Sequence, residues 1–91
     1  MGGLVNGKYF EWTPDGRKMR ELSYVKGNLV SEIGWDTKQN VLYQGSYRNT
    51  QRWDGSFIDK KTEEGKVSNV ISTYKEGQKI AEQITTASWW W

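Results

Sequence analysis

Chemistry at neutral pH needs side chains that can hold, give or take a proton, and this sequence is short of them. It contains no His and no Cys, so the commonest general base, the commonest metal ligand and the thiol nucleophile are all missing. Carboxylates remain. Glu63-Glu64 forms an adjacent pair, but it stands in a predicted turn among Lys60, Lys61 and Lys66, which is the composition of a solvated hairpin tip. Asp36 and Asp54 each follow a Trp. An apolar wall there would raise a carboxyl pKa, while the same positions also suit a turn cap. No phosphate-binding loop, metal-ligand spacing or nucleophile motif accompanies them. The residues therefore predict a chain that is not an enzyme and takes no cofactor and no metal.

The aromatic residues carry more binding capacity. Six Trp, five Tyr and two Phe make up 14% of a chain that is only 35% hydrophobic, so the rings supply most of the apolar area. Trp12, Tyr24, Trp35, Tyr43, Tyr47, Trp53, Phe57 and Tyr74 fall on successive predicted strands. Cross-strand pairs of such rings build a core, and a ring-lined face left uncovered becomes an interface. A single-layer sheet has two faces, and this chain has apolar residues enough for one. The expected binding residues are Trp12, Trp35, Tyr43, Tyr47 and Trp53, with Arg48 and Arg52 at the rim, and the expected ligand is another protein.

Charge narrows the partners further. Thirteen basic and 11 acidic residues leave a net charge of +2, and the two signs are interleaved rather than gathered on one stripe. Arg48, Arg52, Lys60, Lys61 and Lys66 are broken up by Asp54, Asp59, Glu63 and Glu64, which argues against nucleic acid. No apolar run approaches the roughly 18 residues of a spanning helix, and Met1-Gly2-Gly3 lacks the charged and apolar regions of a secretory leader, so the expected location is the cytoplasm. Trp89-Trp90-Trp91 is a costly group to leave in water, at about 2–3 kcal/mol of apolar transfer each. Burial in the core, self-association through these rings and contact with a membrane surface are the options it opens.

The elements that must position these rings are marked by glycine. Gly7, Gly16, Gly27, Gly34, Gly45, Gly55, Gly65 and Gly77 are spaced at about ten residues, one strand and one turn apart. Gly7, Gly16, Gly27, Gly55 and Gly77 are expected at structural turns, with Gly55 alternatively in a bulge within a strand. Thr13-Pro14-Asp15-Gly16, Val25-Lys26-Gly27-Asn28, Glu63-Glu64-Gly65-Lys66 and Lys75-Glu76-Gly77-Gln78 have the chemistry of tight turns. Period-two alternation runs between them. Residues 75–86 also fit a helix, but Ile80, Ile84, Thr85 and Thr86 favour a strand. The sequence predicts one all-β domain over residues 1–91, an antiparallel meander of about seven or eight short strands built from tandem hairpins and forming a curved sheet or partly closed barrel. The strands are expected near 7–13, 17–25, 28–36, 40–48, 52–59, 66–74 and 78–86, with a flexible start at 1–5 and an aromatic tail at 87–91.

Two resemblances follow from these motifs. Asn6-Gly7-Lys8-Tyr9-Phe10-Glu11-Trp12, then Pro14-Asp15-Gly16-Arg17-Lys18, then Glu21-Leu22-Ser23-Tyr24-Val25-Lys26-Gly27-Asn28 resembles the MORN repeat variant, best over residues 7–36, and Tyr74-Lys75-Glu76-Gly77-Gln78 echoes one corner of it. That resemblance implies tandem hairpins, structural roles for Gly7, Gly16, Gly27, Trp12 and Tyr24, and protein or membrane-proximal binding, with a toxin-partner type of protein as one possibility. Gly34-Trp35-Asp36, Val41 to Tyr47 and Trp53 to Phe57 look like parts of small calycin-type barrels, which implies a pocket for a small apolar ligand instead.

Overall fold

The computed structural model describes residues 6–85. They form seven strands: β1 (Gly7–Trp12), β2 (Lys18–Val25), β3 (Asn28–Trp35), β4 (Val41–Arg48), β5 (Gln51–Glu63), β6 (Lys66–Lys75) and β7 (Gln78–Ile84). Each strand pairs antiparallel with the next, so the sheet order is the chain order. The sheet is not closed: β1 and β7 are its two edges, and the barrel alternative therefore has no enclosed interior. The expected flexible start and the terminal Trp run lie outside the described residues.

The turns follow their chemistry. Lys26-Gly27, Glu64-Gly65 and Glu76-Gly77 each connect two strands with both residues at positive φ, the arrangement whose twist matches that of the flanking strands. Asn49-Thr50 does the same without glycine, at φ 52° and 63°. Five-residue loops join β1 to β2 and β3 to β4. In the first, the Gly16 N–H donates to the Thr13 carbonyl at 2.9 Å. In the second, Asp36 Oδ1 accepts the N–H groups of Lys38 and Asn40, both at 2.9 Å.

Four of the evenly spaced glycines are not corners. Gly34, Gly45 and Gly55 lie inside β3, β4 and β5, and Gly7 is the first residue of β1 rather than part of a turn. Gly34 and Gly45 are there for space. A Cβ on Gly34 would stand 2.0 Å from Cε1 of Tyr43, and one on Gly45 would stand 2.3 Å from Cζ of Phe57. Each ring lies flat across the glycine of the preceding strand. Gly55, expected at a turn, pairs with both Gly45 and Tyr74. Its φ of +107° and a hypothetical Cβ only 2.5 Å from the Gln44 carbonyl oxygen leave no room for another residue. The neighbouring irregularity is a β-bulge at Trp53, where Ser46 pairs with Asp54 and Tyr47 with Arg52.

Boundaries agree within a residue or two except in β5, which runs to Glu63 rather than 59. Lys60 to Glu63 pair with Asn69 to Lys66 as a hairpin extension exposed along most of its length. With no buried face it has no hydrophobic alternation to reveal it.

With one layer and no helix among the described residues, the core is thin. Tyr43, Phe57 and Val70, each 1% exposed, are its buried apolar members, and Ser72 and Glu32 are buried beside them. Trp12 and Trp35 stand 23 residues apart, as do Tyr24 and Tyr47. Each Trp ends a strand before a five-residue loop, and each Tyr stands two residues before a two-residue turn, so β1–β2 and β3–β4 are two copies of one hairpin plan.

Because both ring seats demand a missing side chain, Gly34→Ala and Gly45→Ala are each expected to cost about 3 kcal/mol by overpacking. Gly16→Ala, where nothing lies within 4 Å of the new methyl, costs about 1 kcal/mol from its positive φ. Urea unfolding measures all three, and equal losses contradict the ring-seat account.

Candidate functional site

Alternation along the strands separates two surfaces. One carries a continuous row of polar and aromatic groups from β1 to β6. Arg20 pairs with Glu11 at 2.8 Å and lies 3.5 Å from Glu32. Glu32 accepts the hydroxyls of Tyr43 at 2.5 Å and Tyr47 at 2.8 Å. The Tyr47 ring meets Phe57 edge-on at 5.2 Å, and Phe57 meets Tyr74 edge-on at 5.6 Å. The Arg52 guanidinium lies over the Phe57 and Tyr74 rings at 4.8 and 5.5 Å and donates to both oxygens of Asp59 at 2.8 Å. Asp59 also accepts the Ser72 hydroxyl at 2.9 Å. Every group in this row finds a partner, as a part-buried polar network on a thin core requires.

The electrostatics follow. Burial, and then the Glu32 carboxylate its hydroxyl donates to, pushes Tyr47 up to about 12; the same two causes push Tyr43 higher still. The Arg52 hydrogen bonds, reinforced by Ser72, hold the Asp59 carboxyl below its usual range. That direction keeps Asp59 ionised and is opposite to what a general acid needs. Asp36 caps its loop, and Asp54 Oδ1 accepts the Glu76 N–H at 3.1 Å, so the two carboxylates beside Trp residues serve turns. A groove of about 590 Å³ lies between β5, β6 and β7, but Lys61 and Lys79 on its wall are both paired with Glu82, at 2.9 and 2.7 Å.

The second surface carries the exposed rings. Trp12 follows Glu11 and Trp35 follows Gly34, so both point away from the polar row. Phe10 and Trp12 lie 5.9 Å apart between centroids. The Lys18 ammonium sits 5.6 Å from the Phe10 ring and 5.1 Å from the Trp35 ring, within cation–π reach of both. Trp12 is 53% and Phe10 37% exposed. The two five-residue loops brace this corner: Arg17 Nη1 donates to the Thr37 carbonyl at 2.7 Å, and the Gln39 side chain exchanges hydrogen bonds with the Lys18 backbone at 3.2 and 3.0 Å.

The seven expected binding residues thus fall in three places. Tyr43, Tyr47 and Arg52 belong to the polar row, with Tyr43 fully buried. Trp12 and Trp35 join the corner cluster. Arg48 stacks on Trp53 at 4.9 Å, where Trp53 lies under the β6–β7 turn and its carbonyl accepts the Gly77 N–H. Lys18, Phe10, Glu32 and Asp59 were missed by sequence reasoning. No signal in the sequence marked Lys18, because its place across from Trp12 comes from the β1–β2 register shift. No protein-family model, curated protein or solved structure matches this chain.

The polar row makes stability depend on pH at both ends. Asp59 has a depressed native pKa, so its contribution is present above the ordinary carboxylate value of about 4 and is lost as pH falls through the lower native one. Asp59→Asn should cost about 1–2 kcal/mol at pH 7, with variant and wild type converging in acid. Tyr47 has a raised native pKa, so its contribution is full below about 10 and fades as pH climbs through about 12. Urea titrations across pH read both limbs; an Asp59→Asn deficit that persists unchanged in strong acid would disprove this assignment.

Proposed function

We propose that this chain is a non-enzymatic binding module that engages another protein through the corner formed by Phe10, Trp12, Lys18 and Trp35. The observation that carries this reading is the exposure of Trp12 at 53% beside Phe10 at 37%, on a corner whose loops are tied to each other by hydrogen bonds. Large rings held rigidly at a surface are the residues that dominate binding energy in interfaces, because they bury much area and lose little entropy on doing so. The carboxylates fit a structural role, since Glu32, Asp59, Asp36 and Asp54 each accept hydrogen bonds that build the sheet or its turns.

Kinship with the MORN repeat variant, and with its toxin-partner members, remains part of this proposal. The meander of hairpins with an aromatic strand and a Tyr two residues before three of the four two-residue turns supports it, at Tyr24, Tyr47 and Tyr74. A cytoplasmic setting is likewise proposed; among the described residues, no helix is long and apolar enough to cross a membrane.

Affinity capture from the source cells tests the proposal, with wild type, Trp12→Ala and Glu63→Ala as baits. The expected outcome is a protein retained by wild type and Glu63→Ala and reduced about tenfold or more with Trp12→Ala. Equal retention by all three baits contradicts the assignment of the corner as the binding surface.

A further inference from the structure

We infer that the corner cluster takes an acidic segment of its partner, a carboxylate set beside an apolar side chain. This rests on the protein-binding reading above and adds the chemistry of what is bound. The argument begins with Lys18. Among the described residues its ammonium has no carboxylate within ion-pair distance; the acids of this corner are spent elsewhere. Glu11 pairs with Arg20, Glu21 with Lys8 and Asp15 with Arg17. Asp15 also accepts the Thr13 hydroxyl, and Asp36 is occupied by two backbone N–H groups. The loops and their flanks thus carry Arg17, Lys18 and Lys38 against two acids already engaged.

The rings make that positive charge specific. Phe10 and Trp35 hold the ammonium at 5.6 and 5.1 Å, so its side chain is already placed before a ligand arrives. A carboxylate reaching it forms a charge-assisted hydrogen bond close to apolar walls, where such bonds are stronger than in open water. The exposed area of Trp12 and Phe10 then covers a neighbouring apolar side chain of the same segment. A nucleic-acid strand fits less well: stacking needs a run of cations along the backbone, whereas this corner offers one ring-held ammonium with the Asp15 carboxylate in the adjoining loop.

The test is selection from a phage-displayed library of random linear peptides against the full-length wild-type chain, followed by titration of a synthetic peptide from the dominant clone. The expected result is enrichment of Asp or Glu next to an aromatic or aliphatic residue. The peptide should bind about tenfold or more weakly to Lys18→Glu and to Trp12→Ala, weaken as salt rises, and bind Lys66→Glu as it binds wild type. Lys18→Met keeps an unbranched side chain against the two rings and should lose most of the salt dependence, which keeps the test decisive if Lys18→Glu fails to fold by far-ultraviolet dichroism. Enriched peptides without acidic residues, or an acidic peptide that binds Lys18→Met with unchanged affinity and salt dependence, overturn this inference alone. No enrichment over an unrelated bait overturns it together with the protein-binding reading.

Discussion

Among the described residues the sheet has no second layer, so its core is built by side chains laid flat, and Gly34 and Gly45 leave the room for them. Tyr43 lies over its direct cross-strand partner Gly34. Phe57 lies over Gly45, the diagonal neighbour in the next strand. Both rings end up 1% exposed, and among the described residues no helix or second sheet lies above them. Burying an aromatic side chain this completely is worth about 2–3 kcal/mol, a large share of what so small a core can supply.

The rest of the molecule is arranged around those two rings. Lying flat, Tyr43 delivers its hydroxyl to Glu32, which Tyr47 and Arg20 also reach. Phe57 provides the wall for Tyr47, Tyr74 and the Arg52 guanidinium, and Arg52 in turn holds Asp59. A carboxylate as buried as Glu32 is tolerated because each of its oxygens accepts a hydroxyl. The exposed corner depends on the same constraint. Since Trp35 is the residue after Gly34, the strand register that seats Tyr43 also turns Trp35 to the other surface, where it meets Lys18.

Much of the fold was legible because turns and strands have local causes. Charged or polar residues before glycine, as in Asp15-Gly16, Lys26-Gly27, Glu64-Gly65 and Glu76-Gly77, mark corners, and period-two alternation marks what lies between. Spacing alone could not separate a corner glycine from a seat glycine. Neighbours separate them only in part: Gly34 follows the apolar Ile33, but Gly45 follows the polar Gln44 and Gly55 follows Asp54, although both lie inside strands. The strands expected at 28–36 and 40–48 contain Gly34 and Gly45, but spacing gave no reason for a glycine there and so hid the contact that matters most. The site was legible only in part. Ring types pointed to Trp12 and Trp35, but which rings are buried depends on strand register across the whole sheet. Lys18 looked like an ordinary solvated charge until the β1–β2 bulge at Met19 set it opposite Trp12.

Proton chemical shifts test the central claim most directly. Ring currents from Tyr43 and Phe57 should move the α-protons of Gly34 and Gly45 strongly upfield of those of Gly16 and Gly65, which have nothing above them within 4 Å. Glycine α-protons at 34 and 45 with ordinary strand shifts would mean that the rings do not lie where this account puts them.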